Sequence, residues 1–426
     1  MISLTEPRSA QRALLRLPGL LFVIAAFLIM KAIVSGKGCW GTYSLVGLEL
    51  IVAAMILTAL GIHYSQIGRP LDPNQPRFMR AIVYGIFAHV VIAVLLIWNS
   101  PGYTIDTFVF AEQATQALLH GVNPYTLTGP NIYGDNTPFY SPDVLSKGRV
   151  MLGFPYPPAS LFFLLPASLL GETRYAYISA VALSVLAMAR IRLNWFTGAL
   201  CAVLLFSPIT FFVEQNSWTE PFVLLALSWT VYAALKRRWW LPLALGVLFA
   251  SKQYSVLTIP FVALLLPEFS WKSYLKLTAQ AISVASALTL PMAFWDFSHF
   301  WSNVVMFEVL QPFRKDALSF SVLVHIPMLL IILAVTAGTA WTLRVVKRHP
   351  AMFPACFAFT FTIFVCTNKQ AFANYYFLIA QSLCLAAVAF EIPPAAKKSF
   401  PQVSLGQAGY KEFATIAAEP TGASSP

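Results

Sequence analysis

The feature that most constrains this chain is its succession of apolar runs, each about as long as a membrane is thick, with charges confined almost entirely to the gaps. A soluble domain carries roughly 25% charged residues to cover its surface. Here 58% of 426 residues are hydrophobic and only 11% are charged. That balance excludes a single soluble globule, a disordered chain and a disulfide-stapled secreted module. At roughly 20 residues per span, the chain reads as an all-α polytopic integral membrane protein with about twelve transmembrane helices. The excess of 28 Lys and Arg over 17 Asp and Glu sets topology against anionic membrane lipid, and no nucleic-acid partner is expected. Cys39, Cys201, Cys356, Cys366 and Cys384 are scattered, without CxxC or Cys/His ligand spacing. Neither a disulfide framework nor a metal follows, and no cofactor is required.

Spans are expected at Leu14–Val34, Tyr43–His63, Ala81–Trp98, Tyr156–Leu170, Tyr175–Ala189, Phe196–Val213, Pro221–Leu235, Leu241–Leu266, Leu275–Phe294, Val322–Leu343, Met352–Cys366 and Phe372–Phe390. Arg8, Arg12 and Arg16 precede the first, which reads as a retained span with a cytoplasmic N-terminus. Arg69, Arg77 and Arg80 form a short basic loop of the same side, so by parity the stretch 99–155 is outer. Ser251-Lys252-Gln253 interrupts the Leu241–Leu266 run, leaving one kinked span or two short ones. Lys236-Arg237-Arg238 prefers the cytoplasm, against simple parity. Arg344, Lys347 and Arg348, with Lys397 and Lys398, are cytoplasmic clusters and place Asn368-Lys369-Gln370 outside. The chain thus divides into a two-span extension (1–80), a module with a long outer loop 99–155 (81–294), further spans (295–392) and a disordered cytoplasmic tail (393–426). No fixed-period repeat or two-half symmetry is visible.

The outer loop carries the chemistry. After Tyr103-Thr104-Ile105-Asp106, apolar Phe108, Phe110, Ala111, Ala114, Ala117 and Leu118 recur at helical spacing, with Glu112, Gln113, Thr115 and Gln116 opposite. This predicts a short amphipathic helix on the outer interface, ended by Gly121. Asp106 at its start reads either as an N-cap or as a general base held at the membrane surface. Glu112 reads as a solvated face or a second carboxylate. The loop closes with Gly153-Phe154-Pro155-Tyr156-Pro157-Pro158, where consecutive prolines fix the backbone before the next span. Lys147 and Arg149 just before it suit a phosphate or only lipid headgroups.

These pieces resemble the GT-C glycosyltransferases, integral membrane enzymes that take sugar from a polyprenyl-phosphate carrier. The pattern is most similar to glycosyltransferase family 87, the polyprenol-phosphate-mannose-dependent mannosyltransferases. Gly121-Val122-Asn123-Pro124-Tyr125 and Pro155-Tyr156-Pro157-Pro158 carry most of it. Ser207-Pro208 with Glu214-Gln215-Asn216 is similar to that family's Pro…Gly-Gln-Asn segment, Glu214 standing where Gly is usual. Gly246 with Ser251-Lys252, and Asn368-Lys369 with Asn374-Tyr375-Tyr376, are similar to further motifs of such enzymes. The resemblance covers roughly Ala81 to Phe390 and departs from the usual pattern in the two spans that precede it.

The resemblance implies Asp106 as catalytic base, with donor phosphate or substrate held among Lys369, Lys252, Tyr156, Asn123, Tyr125, Gln215, Asn216, Tyr375, His325 and Arg149. Physics asks for similar groups, because charges in or beside a membrane are functional candidates. Lys252 interrupts an apolar run, and Lys369 sits at an outer boundary where it either snorkels or meets phosphate. Arg314, Lys315 and His325 flank a second outer segment, Trp295 to Ser319, whose Trp and Phe residues form an interfacial belt or flank a lipid tail. The expected function is inverting transfer of a sugar, mannose by resemblance, from a polyprenyl-phosphate-sugar donor to a lipid or glycan acceptor. The reaction would run on the outer face of a bacterial-type membrane. A transporter or lipid flippase is the alternative from another class. A glycan polymerase or ligase is a third, disfavoured by the short late outer segment.

Overall fold

A computed structural model describes residues 76–100, 105–134 and 137–390, together with Leu21, Ile24, Ala25 and Leu28 of the first apolar run. The rest of the Leu14–Val34 span, the Tyr43–His63 span, Arg69, Tyr103-Thr104, Asp135 and the tail from residue 393 lie outside the described residues.

The described chain is largely helical. In order come α1 (Pro76–Trp98), α2 (Asp106–Leu119), three two-residue strands β1 (Gly129–Pro130), β2 (Leu145–Ser146) and β3 (Arg149–Val150), then α3 (Pro158–Ser168), α4 (Tyr175–Ile191), α5 (Trp195–Phe206), α6 (Pro208–Gln215), α7 (Glu220–Lys236) and α8 (Leu241–Phe249). A 3₁₀ helix (Gln253–Leu265) precedes α9 (Trp271–Trp295), α10 (Phe297–Trp301), a π-helical turn (Ser302–Met306), α11 (Phe307–Leu310), α12 (Met328–Val345), α13 (Met352–Thr367) and α14 (Ala373–Ala389). The strands form one small antiparallel sheet in the order β1–β3–β2 within the loop between α2 and α3.

Local chemistry sets the boundaries. Pro158 and Pro208 begin α3 and α6, where a fixed φ helps and a missing N–H costs nothing. Asn194 and Ser270 cap α5 and α9 through Thr197 N–H at 2.9 Å and Ser273 N–H at 3.1 Å. The expected Phe196–Val213 span is bent by 45° between α5 and α6. Pro208 interrupts the ladder there. Thr210 Oγ1 donates to Leu204 O at 2.7 Å, and the His89 ring bridges Leu205 O at 2.6 Å and Glu214 at 2.9 Å. The Leu241–Leu266 run is two pieces, broken at Ser251-Lys252. Its second half is a 13-residue 3₁₀ helix. At about 2 Å per residue that conformation reaches about 26 Å, further than an α-helix of equal length.

Among the described residues, three helices are long and apolar enough to cross a membrane, or four if the bent pair is one span, and the remaining apolar helices are shorter. The chain is a helical membrane protein. Leu329 and Phe294, on α12 and α9, are 65% and 78% exposed, so these helices turn large apolar side chains outward. Nearly every residue of α14 is buried, which puts it at the centre of the main core cluster. Gly246 makes the α8–α9 crossing close, since a Cβ there would lie 2.6 Å from Ala281 O.

The bundle has two chemically distinct ends. At one, Arg192 donates to Phe390 O at 3.2 Å, Arg238 to Leu265 O at 3.2 Å, and Arg348 lies 5.7 Å over the Phe269 ring. At the other, Trp98 donates to the Tyr175 hydroxyl, Gln215 reaches Ser100, and Lys252 reaches Thr219 and Glu220. The Tyr156–Leu170 segment departs from its expectation as a span. The 11-residue α3 packs along α2, Gln116 contacts Ser168, and the turn that follows brings Arg174 back to Ser100 O at 2.7 Å. Both ends of α3 therefore belong to the same end of the bundle. An apolar run of that length reads alike whether it crosses or lies against a neighbour.

Candidate active site

The amphipathic helix forms as α2, but it is packed into the protein, with Phe108, Val109, Phe110, Ala111, Ala114 and Thr115 buried. It ends in a Schellman motif: Gly121 adopts φ +72°, Val122 N–H bonds Ala117 O at 2.8 Å and Gly121 N–H bonds Leu118 O at 3.1 Å. Asp106 is its first helical residue, whereas Ile105 is the N-cap and gives no side-chain cap. The carboxylate is directed elsewhere. Its Oδ2 accepts from the Tyr140 hydroxyl at 2.6 Å, while its N–H donates to the Tyr133 hydroxyl at 3.1 Å. Burial raises the Asp106 carboxyl above its ordinary value, opposed by the Tyr140 hydroxyl, the Thr107 N–H, Tyr133 and the Arg314 charge. Burial and the Asp106 charge push both tyrosine hydroxyls upward, so they remain protonated donors. The group is a fixed carboxylate in a partly dry cleft.

That cleft is a cavity of about 100 Å³ lined by Asp106, Tyr140, Tyr156, Lys252, Glu308, Arg314 and Tyr375, among others. Segments more than 250 residues apart thus converge on Asp106. Lys252 Nζ donates to Thr219 Oγ1 at 2.6 Å and Glu220 Oε1 at 2.8 Å, and lies 4.6 Å over the Tyr156 ring. Glu220 also receives the Tyr254 hydroxyl at 3.0 Å and Asn374 Nδ2 at 2.7 Å. The Lys252 charge is therefore compensated, although its ammonium still borders the cavity.

Asn123, Tyr125 and Gly153 build the wall behind Tyr156. Asn123 Oδ1 accepts from Tyr125 N–H at 3.0 Å, and the Tyr125 hydroxyl donates to Tyr156 O at 2.9 Å. Asn303 ties the two motifs, accepting from Gly153 N–H at 2.6 Å and donating to Tyr125 O at 2.9 Å. A Cβ at Gly153 would lie 2.6 Å from Pro124 O, so only glycine allows this approach. Asn123 and Tyr125 thus position Tyr156 without lining the cavity themselves.

Other candidates fall outside. Arg149 is exposed and bonds Thr128 Oγ1 at 3.0 Å and Thr128 O at 2.6 Å, pinning the small sheet. His325 is exposed, with its ring 6.1 Å from Phe313. Lys369 Nζ donates to Val309 O at 2.8 Å and Gln311 O at 2.5 Å, and desolvation lowers its pKa. It clamps the segment that carries Glu308 and Arg314. Glu112 is half-buried and outside the cavity, and it accepts from Thr173 Oγ1 at 2.8 Å at the approach to α4.

Three site residues escaped the sequence reading in this role. Glu308 lines the cavity, and burial raises its carboxyl against the opposing charges of Lys252 and Lys369. A carboxylate among Phe307, Val309 and Leu310 carried the same signal that picked out Lys252. Glu220 is the hub beneath Lys252 and gave no local pattern. Arg314 was seen only as a flank; it is buried, bidentate with Asp316 at 2.7 and 2.6 Å, and stacked 3.9 Å over Phe139.

Gln215 and Asn216 line a second, larger cavity of about 850 Å³, which shares Tyr133, Phe139 and Arg314 with the first. Asn216 O accepts from Thr107 Oγ1 at 2.6 Å, tying this wall to the start of α2. Among the described residues no group of His, Cys, Asp and Glu is arranged to hold a metal ion. No family model, no curated protein and no solved structure matches this chain.

Proposed function

We propose that the protein is an inverting glycosyltransferase of the GT-C kind, moving a sugar from a polyprenyl-phosphate donor to a lipid or glycan acceptor. The observation that carries this reading is the convergence of Asp106, Lys252, Tyr156 and Tyr375 on one cavity. A general base, a cation and aromatic walls are what transfer from a lipid phosphate needs. Asp106 takes the proton of the acceptor hydroxyl as its oxygen attacks the anomeric carbon. The bond from that carbon to the phosphate oxygen breaks, and the electron pair leaves with polyprenyl phosphate. The departing charge faces the Lys252 ammonium, which keeps a third N–H beyond its bonds to Thr219 and Glu220. Lys369 supports that wall from behind. Mannose is the sugar the resemblance favours, and the reaction needs no metal or cofactor.

About twelve crossings and an outer catalytic end complete the proposal. With α3 lying along α2, Lys236-Arg237-Arg238 falls at the same end as Arg192 and Arg348. The basic clusters then agree under the positive-inside rule, which assigns that end to the cytoplasm and Asp106 to the outer face of a bacterial-type membrane. Both cavities described lie at the Asp106 end.

The test is transfer of labelled mannose from polyprenyl-phosphate-mannose to lipid acceptors by the purified protein. Transfer is expected from the wild type and is to be lost in Asp106→Asn. Equal rates in the two would overturn the base assignment. Lipid movement in liposomes without transfer would favour the flippase.

A further inference from the structure

The 850 Å³ cavity falls within the roughly 300–1,000 Å³ of sites that hold drug-sized ligands. What it holds follows from which lining groups remain unpaired. Its two arginines are already neutralised. Arg174 grips Glu172 through Nε and NH2 at 2.9 and 2.7 Å and gives NH1 to Ser100 O. Arg314 grips Asp316 in the same two-point fashion. Lys315 is exposed at the rim. The cavity therefore presents no buried, unpaired cation to a phosphate.

Its open polar groups are acceptors instead. The Gln215 amide nitrogen makes long contacts to Leu96 O and Ser100 Oγ, at 3.5 and 3.4 Å, and the Asn216 amide nitrogen is bound to Phe212 O at 2.8 Å. Their side-chain oxygens accept no hydrogen bond among the described residues. A phosphodiester has no hydrogen to give them, whereas a polyhydroxylated ligand has many. The wall toward Asp106 is aromatic: the Phe139 and Phe372 rings lie 3.9 and 4.9 Å from the Arg314 guanidinium, and Tyr133 meets Phe139 edge to face at 4.7 Å. An aromatic ring beside open amide acceptors suits the apolar C–H face and hydroxyl edge of a sugar.

We infer that this larger cavity binds a neutral saccharide, packed on Phe139 with its hydroxyls donated to Gln215 and Asn216. Its role as acceptor site rests on the proposed transfer reaction; the binding of sugar does not. In that role the saccharide's reactive hydroxyl passes the Tyr133–Phe139 partition, whose Tyr133 hydroxyl already touches Asp106 N–H. The acceptor is thereby a glycan, or a glycolipid engaged through its sugars.

The experiment is saturation-transfer NMR of mannotriose with the full-length protein in micelles. Wild type, Asp106→Asn, Phe139→Leu and Gln215→Ala are compared, with size-exclusion profiles confirming folded protein. Wild type and Asp106→Asn are expected to bind equally, and the other two about tenfold more weakly. In the transfer assay Gln215→Ala, at a residue lining the larger cavity alone, raises acceptor KM by the same factor and leaves donor KM unchanged. Absence of a mannotriose signal in the wild type, equal binding by all four proteins, or displacement of mannotriose by inorganic phosphate would each overturn the inference. Mannotriose binding that depends on Phe139 and Gln215, without transfer from any polyprenyl-phosphate sugar, would uphold the saccharide cavity and sink the enzyme reading alone.

Discussion

Glu220 and Asp106 are carboxylates at the same end of the bundle, and the chain treats them in opposite ways. Glu220 receives an ammonium, a phenol and a carboxamide, from Lys252, Tyr254 and Asn374. Those donors come from the 3₁₀ segment and α14, so the carboxylate joins three stretches of chain and has little capacity left. Asp106 receives the Tyr140 hydroxyl and its neighbour's N–H, with the Tyr133 hydroxyl beside it, and still borders a cavity. Glu308, on the same cavity, has no ion pair or hydrogen bond among the described residues. A saturated carboxylate holds a fold together, whereas a half-satisfied one keeps hydrogen-bonding capacity for a substrate.

The sharpest break of this comparison is Asp106→Asn. Transfer is expected to fall roughly 10²–10⁴-fold, the usual contribution of a general base. Thermal stability in micelles is expected to stay level or rise at neutral pH. The sign follows from burial: a carboxyl whose folded pKa is raised is disfavoured as the anion, so its neutral isostere removes that cost. A large loss of stability would move Asp106 into the same class as Glu220.

Glu220→Ala is the converse. It leaves Lys252 buried without its counter-ion, and such a break costs about 3–5 kcal/mol. Denaturation of the purified variant checks this, and an unchanged midpoint would show that Glu220 is not structural. Tyr140→Phe is milder. It removes the hydroxyl that opposes the burial of Asp106, so the acidic limb of the transfer-rate profile moves to higher pH. Activity is lost as pH falls through the raised Asp106 pKa, and the variant loses it sooner. A profile that does not move would detach Tyr140 from the base. Arg149→Ala, at the exposed sheet, is expected to change stability within about 0.5 kcal/mol and leave transfer intact. A clear fall in transfer would return Arg149 to the phosphate.

Local pattern made part of this legible. The α2 helix, its stop at Gly121 and the break around Lys252 follow from spacing, glycine and a charge inside an apolar run, which act within a few residues, whereas the bend at Pro208 falls inside a stretch that reads as one span. Tyr156, Lys252 and Tyr375 were named from short motifs or misplaced charge, and they share a cavity with Asp106. What stayed hidden depends on distance. The pairing of Lys252 with Glu220 joins residues 32 apart, and Asn374 reaches Glu220 across 154. No periodicity announces such contacts. For α3, hydropathy reports only that a segment avoids water, and a helix lying along a neighbour avoids it as well as one that crosses.

The central placement of α14 has a consequence for how the molecule is made. Its first turn delivers Asn374 to Glu220 and Tyr375 to the cavity, and its length is enclosed by helices that precede it. A chain emerging from the ribosome in order must keep a slot open for that helix until residue 389 has been synthesised. Until then the carboxylate hub lacks a donor and the Asp106 cavity lacks a wall. If the proposed transfer is right, an unfinished chain would carry Asp106 without the complete cavity that the reaction needs.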